Sequence, residues 1–274
     1  MDDITKKILS STSYFTPLDY VSGRITEYDI KAANANILKE ANLITDDTYY
    51  MLINAPKDYR ERYVGNLERD QIGVYDALKA GIINAKLKLG ENNNIKQEEI
   101  IRIANDAVYV NRPYDLKNTT FGLVNFVNKG TYNVVLQLFA DNITNGKVYR
   151  RNACTIYFWY DNNGNMNLIT KGLGNKESLH QNYMLSFIAT VINNIERSSV
   201  DDALNLISQF YVDYIERKLD IGYYRELNSQ SGYTVTFKND TYIVDIAKPE
   251  DIDINFNLSI IRNLWVTIIK KKTQ

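Results

Sequence analysis

Apolar and polar positions alternate along this chain with two different periods, and the change of period divides it. In the first half the spacing is helical. Residues 71–89 carry Ile72, Tyr75, Leu78, Ile82, Ala85 and Leu89 three or four apart, which predicts one apolar helix face. Gly90 and Asn92-Asn93-Asn94 end that helix. Residues 25–30 read as a short strand leading into a helix at about 32–42, and residues 1–12 as a short helix or an arm. Thr45 or Asp46 is the expected N-cap of the next helix. Pro56 opens another helix, running to about Leu67, where its missing N–H is harmless. Residues 98–103 and 107–110 are apolar and flank Asn105-Asp106, as a tight hairpin or one bent strand.

The period shortens after Gly122. Tyr132-Asn133-Val134-Val135-Leu136-Gln137-Leu138-Phe139 and Cys154-Thr155-Ile156-Tyr157-Phe158-Trp159-Tyr160 predict strands, and Asp161-Asn162-Asn163-Gly164-Asn165 predicts a hairpin turn into Met166-Asn167-Leu168-Ile169. Helices are expected at about 177–195 and 200–219, strands at about 232–237 and 241–246 around Lys238-Asn239-Asp240, and a last helix at about 256–270 ending in an exposed Lys270-Lys271-Lys272 run. The strands come in groups without strict β-α-β alternation. The expected class is therefore α+β, a mainly antiparallel sheet with packed helices. The organisation reads as a helix-rich region 1–115 and a strand-rich region 116–274, or the two as one continuous domain.

Composition narrows the chemistry. The 274 residues are 45% hydrophobic, enough for a sizeable core. No apolar run reaches the roughly 18 residues of a membrane span. The start Met1-Asp2-Asp3 has no apolar stretch behind it, so no secretory signal is expected and the reading is a cytoplasmic protein away from membranes. A formal net charge of −1 leaves any nucleic-acid contact to local patches. The richness in Asn, Ile, Lys and Tyr points to an AT-rich genome, of a low-GC bacterium or one of its phages, and carries no chemistry. One cysteine, Cys154, excludes an internal disulfide framework and a Cys-based zinc site. One histidine, His180, has no acidic or cysteine partner in any motif. Gly172-Leu173-Gly174-Asn175-Lys176 lacks the spacing of a phosphate loop and reads as a turn. No Gly-x-Ser-x-Gly supports serine chemistry. Carboxylates remain as the candidate catalytic groups.

Two segments carry such carboxylates beside strand-like runs: Glu27-Tyr28-Asp29-Ile30-Lys31-Ala32-Ala33-Asn34 and Ala104-Asn105-Asp106-Ala107. Together they resemble the palm of template-dependent polymerases over residues 25–112. There, one aspartate ends a strand before a helix, and another sits in a later hairpin turn. The resemblance implies that Asp29 and Asp106 hold Mg²⁺ and act in nucleotidyl transfer, with two ions about 4 Å apart activating a hydroxyl and stabilising the leaving pyrophosphate. Here the neighbours of Asp106 are Asn105 and Ala107, where the palm hairpin often has a second acid or a histidine. The structural alternative is that both aspartates cap or turn the chain.

Basic residues near these motifs are candidate substrate contacts. Lys79 and Lys86 lie seven apart on the 71–89 helix and could meet a triphosphate, and Arg60 and Arg69, with Lys57 and Arg62, could touch phosphates of a nucleotide or nucleic acid. The alternative for all of them is a solvated face balanced by Glu61, Glu68 and Asp70. Of the 21 tyrosines, Tyr157 shares a strand face with Trp159, and Tyr160 shares the other with Phe158. They are either a sheet packed on both sides or a surface for bases. A second function class is therefore a non-catalytic phage accessory or host-interaction module that binds a protein partner through the strand-rich half.

Overall fold

The computed structural model describes residues 1–144, 147–171, 184–220, 223, 232–237, 240–245 and 252–272. His180, the glycine-containing 172–176 segment, residues 224–226 and the 238–239 turn lie outside them. The chain forms two compact units, Met1–Leu18 with Gly23–Thr131 and Asp19–Ser22 with Tyr132–Gln274. The class is α+β, and the strand pairings are antiparallel among the described residues. Among the same residues no helix is long and apolar enough to cross a membrane.

The first unit begins with helix α1 (Asp3–Leu9) and strands β1 (Ser13–Phe15) and β2 (Tyr20–Ile30). Four helices follow: α2 (Ala33–Glu40), α3 (Asp46–Asn54), α4 (Lys57–Asp70) and α5 (Val74–Asn92). The chain then returns through a single 3₁₀ turn (Gln97–Glu99) to the hairpin β3 (Ile100–Ala104) and β4 (Ala107–Asn111), the short β5 (Thr120–Phe121) and the first part of β6 (Val124–Thr144). The strand order here is β1-β3-β4-β2-β6. Strand β4 therefore lies between β2 and β3, antiparallel to both, with the four helices as the crossover. This is a split β-α-β arrangement.

Local signals explain these elements. Thr45 caps α3 by accepting from the Thr48 N–H at 3.2 Å, and Pro56 stands directly before α4. The α5 face differs from the expected one. Gly73, at φ +90°, starts the helix late, so Ile72 precedes it and is fully exposed, and Tyr75 falls on the outer side at 60% exposure. The buried stripe is Val74, Leu78, Ile82, Ala85 and Leu89. Gly81 lets α2 approach α5, since a Cβ there would stand 2.3 Å from Ile37 Cγ2. The core beneath joins Leu38, Leu52, Val74, Leu89, Ile103 and Val108, each 3% exposed or less.

The second unit carries the rest of β6, then β7 (Lys147–Tyr160), β8 (Met166–Lys171), α6 (Met184–Arg197), α7 (Val200–Ile215), the hairpin β9 (Gly232–Phe237) and β10 (Asp240–Asp245), and α8 (Ile252–Lys272). The β7–β8 turn is held by Asp161, whose Oδ1 accepts from the N–H groups of Asn163 and Asn165 at 2.8 and 2.9 Å. Tyr157 packs with Tyr132 at 4.8 Å and Phe158 with Tyr160 at 5.0 Å, on opposite faces as the alternation requires. Tyr157 and Phe158 are fully buried and so belong to packing. Phe187 of α6 stacks on Phe210 of α7 at 3.6 Å.

The basic end of α8 stays partly exposed, as expected, and is also paired. Lys270 donates to Asp19 Oδ2 at 2.7 Å, Lys271 reaches Ser22 Oγ at 3.3 Å and lies over the Tyr20 ring, and Lys272 pairs with Asp201. The ammonium heads remain at the solvent edge while their stems lie along the protein.

The first unit is closed by one buried arginine. Arg112 donates twice to Glu99, at 2.7 and 2.6 Å, and also to the carbonyls of Asn93 and Asn94 at 2.8 and 2.7 Å. It thereby joins the end of α5 to the start of β3. Removing it leaves a carboxylate and two carbonyls without their donor. The Arg112→Ala variant is expected to lose about 3 kcal/mol of stability, read as a lowered midpoint in urea unfolding at an unchanged m-value.

Candidate functional site

The register of β2 against β4 brings the two aspartates together. Tyr28 pairs with Val108, so one residue further along β2 Asp29 falls beside the turn that precedes β4. That turn is only Asn105-Asp106, because Ala104 pairs with Ala107 across the hairpin. Asn105 takes φ +55°, a left-handed conformation that Asn tolerates. Asp29 stands close enough to Asp106 for its carboxylate to act on the Asp106 carboxyl. Both line one cleft of about 850 Å³ in the first unit.

The segment after Asp29 is shaped by Ala32 and Asn36. Ala32 sits at φ +48° and ψ +45°, which costs an alanine about 1 kcal/mol. This bend turns the chain from β2 into α2 within two residues. Asn36 fixes it: Nδ2 donates to the Lys31 carbonyl at 2.7 Å, and Oδ1 accepts from the Tyr49 hydroxyl at 3.0 Å. The start of α2 has no side-chain cap, and Ala33, Asn34 and Ala35 line the cleft. Helix N-termini leave backbone donors to be satisfied from outside the helix and favour anions.

Electrostatics at the floor are opposed. Burial, and then the neighbouring Asp29 carboxylate, push Asp106 up to about 6. Behind the turn lies Lys86 of α5, fully buried, whose ammonium donates to the carbonyls of Ser11 at 2.6 Å and Asn105 at 2.9 Å. Burial brings this lysine down to about 8, and the charge of Asp106 acts in the opposite direction. On the solvent side Lys129 of β6 stands 3.7 Å from Asp29 Oδ2. Lys31, Lys57, Arg60 and Asn125 also line the cleft, together with Glu61.

The sequence candidates thus separate. Asp29, Asp106 and Arg60 share the cleft. Lys86 does not share a solvated face with Lys79: the buried stripe includes Ala85 and Lys86, while Lys79 is exposed on the outer side. Lys86 lies under the turn and supports it. Arg69 is exposed and paired with Asp70 at 2.8 Å, away from the cleft lining. Lys129, Asn125 and Asn36 were not singled out from sequence. Only their strand and helix partners give them meaning, so no local pattern marks them.

The donor set suits a hard cation. Among the described residues no group of three or more His, Cys, Asp or Glu side chains converges. Mg²⁺ commonly keeps several waters and takes one or two carboxylates, which is what Asp29 and Asp106 offer.

Two variants test this electrostatic picture. Asp106 binds its proton more readily in the folded chain than its ordinary value of 3.8 allows in the unfolded one. Its contribution to stability is therefore full below about pH 4 and is lost as pH rises through about 6. The Asp106→Asn variant is expected to gain about 1–2 kcal/mol at pH 7.5, allowing for partial solvent screening, and to lose the slope of stability between pH 4 and 6. Thermal melts across that range measure both. The Lys86→Met variant leaves two carbonyls without a donor and Asp106 without its buried counter-charge. It is expected to lose about 2–4 kcal/mol in chemical denaturation.

The family model of the bacteriophage PBS1 gene 130 protein matches residues 5–271, nearly the full length, and spans both units. No curated protein matches the chain.

Proposed function

The chain belongs to the bacteriophage PBS1 gene 130 protein family, and we propose that this phage protein is a divalent-cation-dependent nucleotidyltransferase-like protein working at the Asp29–Asp106 pair. The observation that carries the reading is the meeting of two carboxyls at the floor of a cleft whose wall holds Lys31, Lys57, Arg60 and Lys129. Two adjacent carboxylates repel each other unless a proton or a cation joins them. At neutral pH a divalent ion relieves that repulsion and creates a centre for an anionic substrate. The order of the elements also agrees with the palm resemblance: an aspartate ends β2, helices follow, and a second aspartate occupies the turn of a hairpin whose strand β4 lies beside β2.

In this reading Asp29 and Asp106 would hold Mg²⁺, which would supply Lewis-acid polarisation of a phosphoryl group. The basic wall and the uncapped start of α2 receive the phosphates of a nucleotide. Arg60 is placed to contact phosphate, whereas Lys86 acts only by holding the Asp106 turn. Titration calorimetry with Mn²⁺, followed by primer-extension assays with Mg²⁺ and nucleoside triphosphates, tests it. Asp29→Asn and Asp106→Asn are each expected to lower Mn²⁺ affinity at least ten-fold and to remove extension. Wild-type protein that binds no Mn²⁺, or variants that bind as wild type does, would sink the metal site and leave a non-catalytic binding role for the cleft.

A further inference from the structure

Lys129 occupies a position that the proposed metal reading does not explain. It projects from β6, a strand separate from those bearing the two aspartates, and its ammonium stands 3.7 Å from Asp29 Oδ2. Its side chain is half exposed, while that of Asp29 is 27% exposed. The pair is thus open to solvent on the lysine side, and the stem can swing without disturbing the core. Lys31 and Asn125 stand on the same cleft wall, joined through the Lys31 N–H and the Asn125 carbonyl at 2.9 Å. An ammonium at 3.7 Å and a metal ion coordinated by the same carboxylate repel each other, which favours outward movement of the solvent-exposed lysine.

We propose that Lys129 is a displaceable counter-cation: it neutralises Asp29 before the metal arrives, and is released by the metal to bind the phosphates of the incoming substrate. The proposal rests on the metal-site reading above. Lys129 then serves an anion in each state. Without metal, it offsets the charge of Asp29. With metal, the freed ammonium adds to a wall already holding Lys57 and Arg60, where an anionic polyphosphate needs it. Lys129 is a positioning and substrate-binding residue, and no bond is made or broken through it.

This role makes metal and polyphosphate respond in opposite directions, which a purely structural lysine would not do. The test uses the full chain and calorimetry with two probes, Mn²⁺ alone and then Mg²⁺-tripolyphosphate added to Mg²⁺-saturated protein. Lys129→Met is expected to bind Mn²⁺ about three- to ten-fold more tightly and tripolyphosphate more weakly by a similar factor, and Lys129→Arg to restore tripolyphosphate binding. In an Asp29→Asn background the Lys129→Met change should leave the residual Mn²⁺ affinity unaltered. Wild-type protein that binds Mn²⁺, with Lys129→Met binding it equally or less tightly, overturns the exchange and leaves the metal site standing. Absence of Mn²⁺ binding by wild-type protein overturns both.

Discussion

The geometry of the cleft depends on one buried ammonium. Lys86 projects from the inner face of α5 and binds the carbonyls of Ser11 and Asn105, so a single group joins the segment after α1, the longest helix of the first unit and the β3–β4 turn. Its position is costly, because an ammonium out of water must find replacement oxygens. The two carbonyls and the nearby charge of Asp106 supply them. A methionine would fill the same volume but leave the carbonyls of Ser11 and Asn105 without this donor, with the Asn105 N–H to the Thr12 carbonyl, at 2.8 Å, still holding the turn. The position of Asp106 therefore follows from α5 packing, and α5 packing follows from Gly73, which sets the phase of the helix, and Gly81, which admits α2.

How much of this was legible beforehand can be followed at particular residues. Thr45, Pro56 and the Asp161 turn were readable because capping and turn chemistry act over three or four residues, and the partners sit in the same window. The Asp29–Asp106 meeting was half readable. A strand-end acid and a hairpin acid are local features, but their approach depends on which strand lies beside β2, and that pairing is made across some eighty residues. Lys86 was misread for a related reason. Its seven-residue spacing from Lys79 points both side chains in nearly one direction, but the part of α5 that carries Lys86 is covered by Ser11 and the β3–β4 turn, which come from elsewhere in the chain. The exposure of the Lys270-Lys271-Lys272 run was readable but its pairing was not, since its acceptors come from residues 19–22 and 201, far away in sequence.

The second unit separates packing from chemistry in this protein. Its aromatic strands are spent on the core: Tyr157 and Phe158 are fully buried, and the Phe187–Phe210 stack closes α6 on α7. Several of its polar groups are also tied together, although the buried Thr155 hydroxyl has no hydrogen-bond partner among the described residues. Glu196 accepts from both the Tyr20 hydroxyl and the Ser22 hydroxyl, at 2.9 and 2.8 Å, and the α8 lysines hold the same stretch of chain. Satisfied networks of this kind rigidify and specify a fold. The cleft of the first unit is arranged differently.

There the local arrangement works against stability. An alanine is held in a left-handed bend, a helix start lacks a side-chain cap, and two carboxyls face each other so that one is driven toward the protonated form. Each feature is unfavourable alone, and the first two recur outside the cleft, in the positive φ of Asn42, Asn94 and Arg217 and in the uncapped start of α5, so it is the facing carboxyls that set the cleft apart. The three share a cause. Strand β2 must turn into α2 immediately after Asp29 for the helix start to face the cleft, and the turn after β3 must be two residues long for Asp106 to reach Asp29. A longer turn after β3 would separate the groups, whereas a glycine in place of Ala32 would hold the same bend at less cost. A positive ion between the carboxyls and an anion at the α2 start would remove both electrostatic penalties together, so the metal-bound phosphate proposed above would be stabilised by the same features that cost the unliganded fold.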